Sequence, residues 1–113
     1  MTRAGPAAHE LVRRNELPAR KPRQAVIIQD DRFDTDSVTI CPFTTDPTEA
    51  PLIRLEIEPT ALNGLRQRCR LMVDELTTVA RSKLGERIGV LGDEDMGRLS
   101  RAIVVFLGIA SPS

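Results

Sequence analysis

The sequence has neither tryptophan nor tyrosine and only three phenylalanines, so it lacks the aromatic platforms on which proteins commonly stack nucleobases. Its one histidine, His9, lies near the N-terminus, which argues against a buried histidine base or a histidine metal site. No HExxH, CxxC, phosphate-loop or GxGxxG pattern occurs, which removes the common zinc, nucleotide and dinucleotide readings. No metal and no cofactor are expected. Apolar runs stay well short of the roughly 20 residues that a bilayer-spanning helix needs, and Met1–Glu16 carries no apolar signal core. The expectation is therefore a cytoplasmic protein with no membrane association. Cys41 and Cys69 stand far apart in the chain. In a reducing compartment they read as free buried thiols, with a disulfide as the alternative.

What is present fits one small globular domain: 113 residues, 41% hydrophobic and 28% charged. Net charge is zero, yet it is unevenly placed. Six Lys/Arg against two Glu make residues 1–24 basic, and eight acids against two Arg make residues 25–60 acidic. Residues 61–89 are basic again, with six Lys/Arg against three acids. Such a chain is no polycation for duplex DNA, but two basic segments can meet on one face and hold a short phosphate backbone.

Residues 1–20 show no clear period. Leu11-Val12 is their one apolar pair, and a weak helix over His9–Glu16 would end at Pro18. This stretch is expected to be a divergent or flexible N-terminal segment, with the domain spanning 21–109 and a tail at 110–113. Ala25-Val26-Ile27-Ile28 reads as a strand covered on both faces, followed by an acidic loop to Asp36. The pattern predicts further strands over 37–41, ended by Pro42, and over 52–58, where alternation is cleanest. Two more are expected over 70–74 and 76–79, with a kink near Glu75, and a last one over 87–91 after a turn at 82–85. A C-terminal helix opens at Gly92 with Asp93, Glu94 and Asp95 in its first turn, where carboxylates favour the dipole, and closes at Gly108. Met96, Leu99, Ile103, Phe106 and Leu107 form its apolar stripe, and Val104 and Val105 widen it. So broad an apolar surface calls for cover, either from a second copy or from tight enclosure within one chain.

Two short segments carry chemistry. Lys21-Pro22-Arg23-Gln24 precedes the buried strand, and Pro42-Phe43-Thr44-Thr45-Asp46 follows the next one. An arginine can neutralise the charge of a phosphorane and a threonine hydroxyl can hold a phosphate oxygen. Each also has an ordinary reading, as a surface arginine and a turn threonine. Only the right strand pairing would bring Arg23 and Thr44 together.

The run Arg23-Gln24-Ala25-Val26-Ile27-Ile28-Gln29-Asp30-Asp31 resembles a strand of the MazF/PemK toxins, and Val38–Thr45 resembles the strand end that follows it there. Gly64-Leu65, Leu71–Val79, Leu84–Gly89 and Val105–Gly108 are similar to the family's later segments in the same order. The resemblance implies an SH3-like β-barrel of the CcdB/MazF type with a C-terminal helix, acting as a homodimer. It further implies metal-independent, sequence-selective cleavage of single-stranded RNA, leaving a 2′,3′-cyclic phosphate and a 5′-hydroxyl. On matching positions Arg23 and Thr44 would be catalytic, Lys21, Thr45, Arg68 and Glu75 would contact RNA, and a cognate antitoxin would occupy the same groove. The chain departs from the family where residues 1–20 offer no aromatic first strand. It also carries Arg68-Cys69 and Glu75 where Asp-Ser and Gln are common. A gyrase-binding toxin and an inactive dimeric remnant are the alternatives that the same small barrel allows.

Overall fold

A computed structural model describes residues 7–14 and 23–111 of the chain, the first of the latter by its backbone. Seven strands form one strongly bent antiparallel arrangement: β1 (Glu10–Arg14), β2 (Arg23–Ile27), β3 (Ser37–Thr44), β4 (Arg54–Ile57), β5 (Cys69–Met72), β6 (Thr77–Ala80) and β7 (Leu84–Val90). Helix α1 (Asp93–Phe106) follows. The strand order is β4-β5-β3-β2-β1-β7, with β6 also on β3. β3 is the hinge of this architecture. Its first half pairs with β6 and its last two residues pair with β5, while β2 lies along its other edge. A short 3-10 turn at Val73–Glu75 separates β5 from β6 and matches the kink expected near Glu75.

The N-terminal segment is corrected by the structure. Glu10–Arg14 is neither helix nor loose tail but strand β1, inserted between β2 and β7, with Leu11 opposite Val26 and Val12 opposite Ala25. Leu11 and Val12 are essentially inaccessible and point into different apolar clusters. A strand covered on both faces shows no alternation, and one of five residues with two apolar positions offers almost no periodic signal. The barrel therefore has its first strand, and the expected boundary at residue 21 does not hold. Departing from the family's aromatic pattern did not remove the strand.

Pro42 does not end β3 either. The amide of Ile28 donates to the Thr39 carbonyl at 3.1 Å, which makes 28 and 39 a hydrogen-bonded pair. Two-residue alternation then makes Ala25–Pro42 a non-hydrogen-bonded pair, so the proline nitrogen faces the far edge of β3. On that edge the pairing with β6 stops at Ile40 and the pairing with β5 begins at Phe43. The missing donor falls in the gap left by the 3-10 turn, where no ladder bond is lost.

The larger core lies between the strands and the helix and contains Leu11, Val26, Phe43, Ile57, Leu71 and Leu99. A smaller cluster of Val12, Ala25, Ile27, Val38 and Ile40 occupies the opposite face of β1–β3. Cys41 and Cys69 are buried free thiols, as expected. Burial pushes Cys41 up to about 12 and Cys69 up to about 11, so neither is a nucleophile near neutral pH.

Helix α1 ends as its sequence indicates. Gly108 is left-handed (φ +74°), its amide donates to the Val105 carbonyl at 3.0 Å, and the Ile109 amide reaches the Val104 carbonyl at 2.8 Å. This is a Schellman closure. The helix is not enclosed by its own chain, however. Only Leu99 is fully buried, while Phe106, Leu107 and Ile109 keep 43%, 55% and 73% of their surface exposed.

Candidate functional site

The site follows from the strand register. Arg14 stands opposite Arg23 on β1 and β2, Thr44 opposite Arg70 on β3 and β5, and Arg70 opposite Glu56 on β5 and β4. The β2–β3 pairing reaches Ala25↔Pro42, with Arg23 two residues before it on β2 and Thr44 two residues beyond it on β3. Two stretches of one polar row thus end on the neighbouring strands β2 and β3: Arg14–Arg23, and Thr44–Arg70–Glu56. Side chains paired directly across a ladder have Cβ atoms roughly 5 Å apart. The β2–β3 pairing is antiparallel, so the start of β2 at Arg23 and the end of β3 at Thr44 lie at the same end of the sheet.

The alternation of β3 sends Phe43 into the core and leaves Thr44 half-exposed on the other face. Its Oγ1 accepts the amide of Asp46 at 3.1 Å, which fixes the oxygen and leaves the hydroxyl proton to donate outward. Asp46 in turn accepts the amide of Thr48 at 2.9 Å and its hydroxyl at 2.6 Å. The Thr48 hydroxyl and then its amide hold the Asp46 carboxyl below the usual carboxylate range. Together these bonds fold the chain after β3 into a tight turn beside the threonine.

Arg70 closes the other side of the row. Its side chain is 14% exposed and reaches the Asp46 carbonyl, Glu49 and Glu56, each at 3.3 Å. Arg68 meets Glu56 at 3.0 Å and Glu58 at 2.6 Å. Three carboxylates, Glu49, Glu56 and Glu58, and the Asp46 carbonyl therefore engage two arginines on the β4–β5 side. The β1–β2 side carries Arg14, with Arg23 opposite it in the register. The row is polarised, basic at one end and acid-rich at the other.

The remaining expected site residues fall as follows. Thr45 is exposed next to Thr44. Arg68 joins the row through Glu56. Glu75 is exposed at the end of the 3-10 turn, and that turn is fastened to β4 by a two-pronged Arg54–Asp74 pair with both contacts at 3.0 Å. The hydrogen bond to Asp74 raises the Arg54 pKa further above its usual range. No described contact links Glu75 to Thr44. Lys21 lies outside the described residues. Sequence reasoning missed Arg14, Asp46, Glu56 and Arg70. Polar residues alternating with buried ones on β4 and β5 signalled an exposed face, but their neighbours come from pairings remote in sequence.

A cleft of about 360 Å³ lies at the opposite end of β1 and β2, bounded by Ile28, Gln29, Asp31, Met96 and Ile103. None of the expected site residues lines it.

The family model for PemK-like, MazF-like toxins of type II toxin–antitoxin systems matches residues 7–107. The chain belongs to that family. Its matched span begins ahead of β1, in agreement with the strand found there. A curated relative, the probable endoribonuclease MazF of Mycolicibacterium smegmatis, is 58% identical over 91 residues, covering 80% of this chain and 84% of its own length. Among solved structures, the Mycobacterium tuberculosis toxin MazF-mt6 is 25% identical with a TM-score of 0.70, over 86% of this chain and 95% of that one. A mycobacterial endoribonuclease solved in complex with its cognate antitoxin has a TM-score of 0.77 over 96% of this chain and 100% of that one. At 18% identity it shows the shared fold, the barrel-like antiparallel sheet with one C-terminal helix. These MazF-like matches do not favour the gyrase-binding alternative.

Proposed function

We propose that this MazF-like toxin is a sequence-selective endoribonuclease that cleaves single-stranded mRNA without a metal, leaving a 2′,3′-cyclic phosphate and a 5′-hydroxyl. The observation that carries the reading is the antiparallel β2–β3 pairing, in which the strand that starts at Arg23 lies beside the strand that ends at the half-exposed Thr44. The 58% identity to a probable endoribonuclease supports it.

In the proposed reaction the RNA supplies its own nucleophile. The 2′-oxygen bonds to the adjacent phosphorus as its proton departs. The bond from phosphorus to the 5′-oxygen then breaks, and that oxygen leaves with a proton. Arg23 neutralises the charge that builds on the non-bridging oxygens and assists the proton transfer, and the Thr44 hydroxyl donates to one of those oxygens and orients the phosphate. An intramolecular nucleophile explains how a chain with one histidine, remote from the row, can catalyse this step.

Lys21, Thr45, Arg68 and Glu75 are proposed RNA contacts around this centre. The cognate antitoxin is proposed to fill the same groove, and two copies to pair through α1 and adjacent strands in the cytoplasm. The test is incubation of purified protein with single-stranded RNA in EDTA, with product end groups analysed. Cleavage should persist, and Arg23→Ala or Thr44→Ala should slow it by about 100-fold or more. Cleavage indifferent to both substitutions, or gyrase binding with no cleavage at all, would sink the reading.

A further inference from the structure

We infer that Arg70 is a positioning residue for the Thr44 hydroxyl, acting through the main chain of Asp46. The inference rests on the proposed cleavage reaction and assigns a part of that site to a residue that makes no contact with the reacting atoms.

Arg70 and Thr44 are direct partners across the β3–β5 ladder, and one peptide segment joins their functional ends a second time. The Asp46 amide donates to Thr44 Oγ1 at 3.1 Å, and the Asp46 carbonyl accepts from Arg70 Nη1 at 3.3 Å. The chain of contacts therefore runs from guanidinium to carbonyl, across one residue to its amide, and on to the catalytic oxygen. Asp46 sits in an exposed turn beyond the end of β3, and among the described contacts the Thr44 hydroxyl is all of β3 that its backbone meets. Its carboxylate is engaged with Thr48, farther along the same turn, and so cannot anchor the turn to the sheet. Arg70 supplies that anchor from a neighbouring strand.

Direct grip of an RNA phosphate is the competing role, and burial and partners decide against it. The Arg70 side chain is 14% exposed, whereas Arg68, two residues earlier, is 61% exposed. To reach a phosphate Arg70 would have to leave Glu49, Glu56 and the Asp46 carbonyl together. It would also abandon its part-buried pairing with Glu56, which costs more than an exposed ion pair returns. The two glutamates hold the fork in place while one of its nitrogens faces the carbonyl. Lysine, with a single ammonium in place of a planar fork, serves such a multiple contact less well.

The experiment compares Arg70→Gln and Arg70→Lys in the full-length protein, each alone and combined with Thr44→Ala. It reads kcat and KM on single-stranded RNA and, without RNA, amide exchange at Asp46. Arg70→Gln should lower kcat by about tenfold or more while KM stays within about twofold, because a displaced hydroxyl loses orientation and not binding. Arg70→Lys should fall between Gln and wild type. In the Thr44→Ala background the same substitution should cost less than about twofold, since the oxygen it positions is gone. The Asp46 amide should exchange faster in Arg70→Gln. A rise in KM at constant kcat would assign Arg70 to substrate contact and overturn the inference. So would an equal loss with and without Thr44, or an unchanged Asp46 amide. Absence of RNA cleavage by the wild type would instead reject the proposed reaction, and the Asp46 exchange would still decide whether Arg70 holds that turn.

Discussion

At the scale of single residues, Asn63 shows how one polar side chain can organise a loop that carries no regular structure. It is the buried polar residue of the described chain, at 1% exposure. Its Oδ1 accepts the amides of Thr60 and Leu65 at 3.0 and 2.9 Å, and its Nδ2 donates to the Glu58 carbonyl at 2.9 Å. Next to it Gly64 takes φ +71°, and a Cβ on Gly89 would stand 2.4 Å from the Asn63 carbonyl oxygen. The turn and β7 therefore meet backbone to backbone. Asn63→Ala leaves the buried Leu65 amide, and the part-buried Thr60 amide and Glu58 carbonyl, without this partner, and should cost about 1–3 kcal/mol. A lower urea midpoint at unchanged slope would register that loss, and a midpoint equal to wild type would contradict it. The Asn-Gly pair is legible in the sequence as a turn, but its burial is not, because the covering strand lies more than twenty residues downstream. Arg70 was hidden for the same reason. A lone arginine between Cys69 and Leu71 marks an outward position on a strand, and only the pairing of β5 with β3 places it beside Thr44.

At the scale of elements, legibility followed periodicity. β4 alternates strictly, and Arg54–Ile57 forms within the expected span. The helix carries end signals at Gly92 and Gly108, and it runs between them. β7 begins three residues earlier than its apolar pattern indicates, at Leu84, because pairing with β1 extends it through Gly85 and Glu86, residues with little strand preference of their own. β1 is the opposite case, a strand made by its surroundings. Both of its edges are occupied, by β2 and β7, and both of its apolar residues are buried. Its amides at Leu11 and Val12 should accordingly exchange as slowly as those of β3, on the time scale of global unfolding. Val12→Pro, which fixes φ and removes a donor inside a doubly paired strand, should destabilise the fold by about 3 kcal/mol or more. Rapid exchange at Leu11 and Val12, or a proline variant as stable as wild type in thermal denaturation, would return this segment to the status of a tail.

The whole molecule presents two surfaces with different requirements. The polar row across β1, β2, β3, β5 and β4 is basic at its β1–β2 end and acid-rich at its β4–β5 end, so a zero net charge conceals a directional field. On the proposed reaction, such a field would draw RNA phosphates towards the first end and away from the second. The second surface is apolar and lies at the C-terminal end of α1. Phe106, Leu107 and Ile109 are exposed in series, with Val104 and Val105 half-buried beside them. An apolar stripe on one turn of helix and its closing loop is the kind of patch that marks an interaction surface on a soluble protein. A second copy can bury it symmetrically, since an isologous contact uses the same patch on both partners. The protein should therefore sediment as a dimer at micromolar concentration. Phe106→Glu combined with Leu107→Glu places two like charges on each side of such a contact and should shift the chain to monomer, with the barrel's thermal transition intact. The substitutions lie on the helix, away from the Arg23–Thr44 row, so a dimeric wild type and a folded monomeric variant would assign the pairing to α1. A monomeric wild type would overturn it, as would a double variant that remains dimeric.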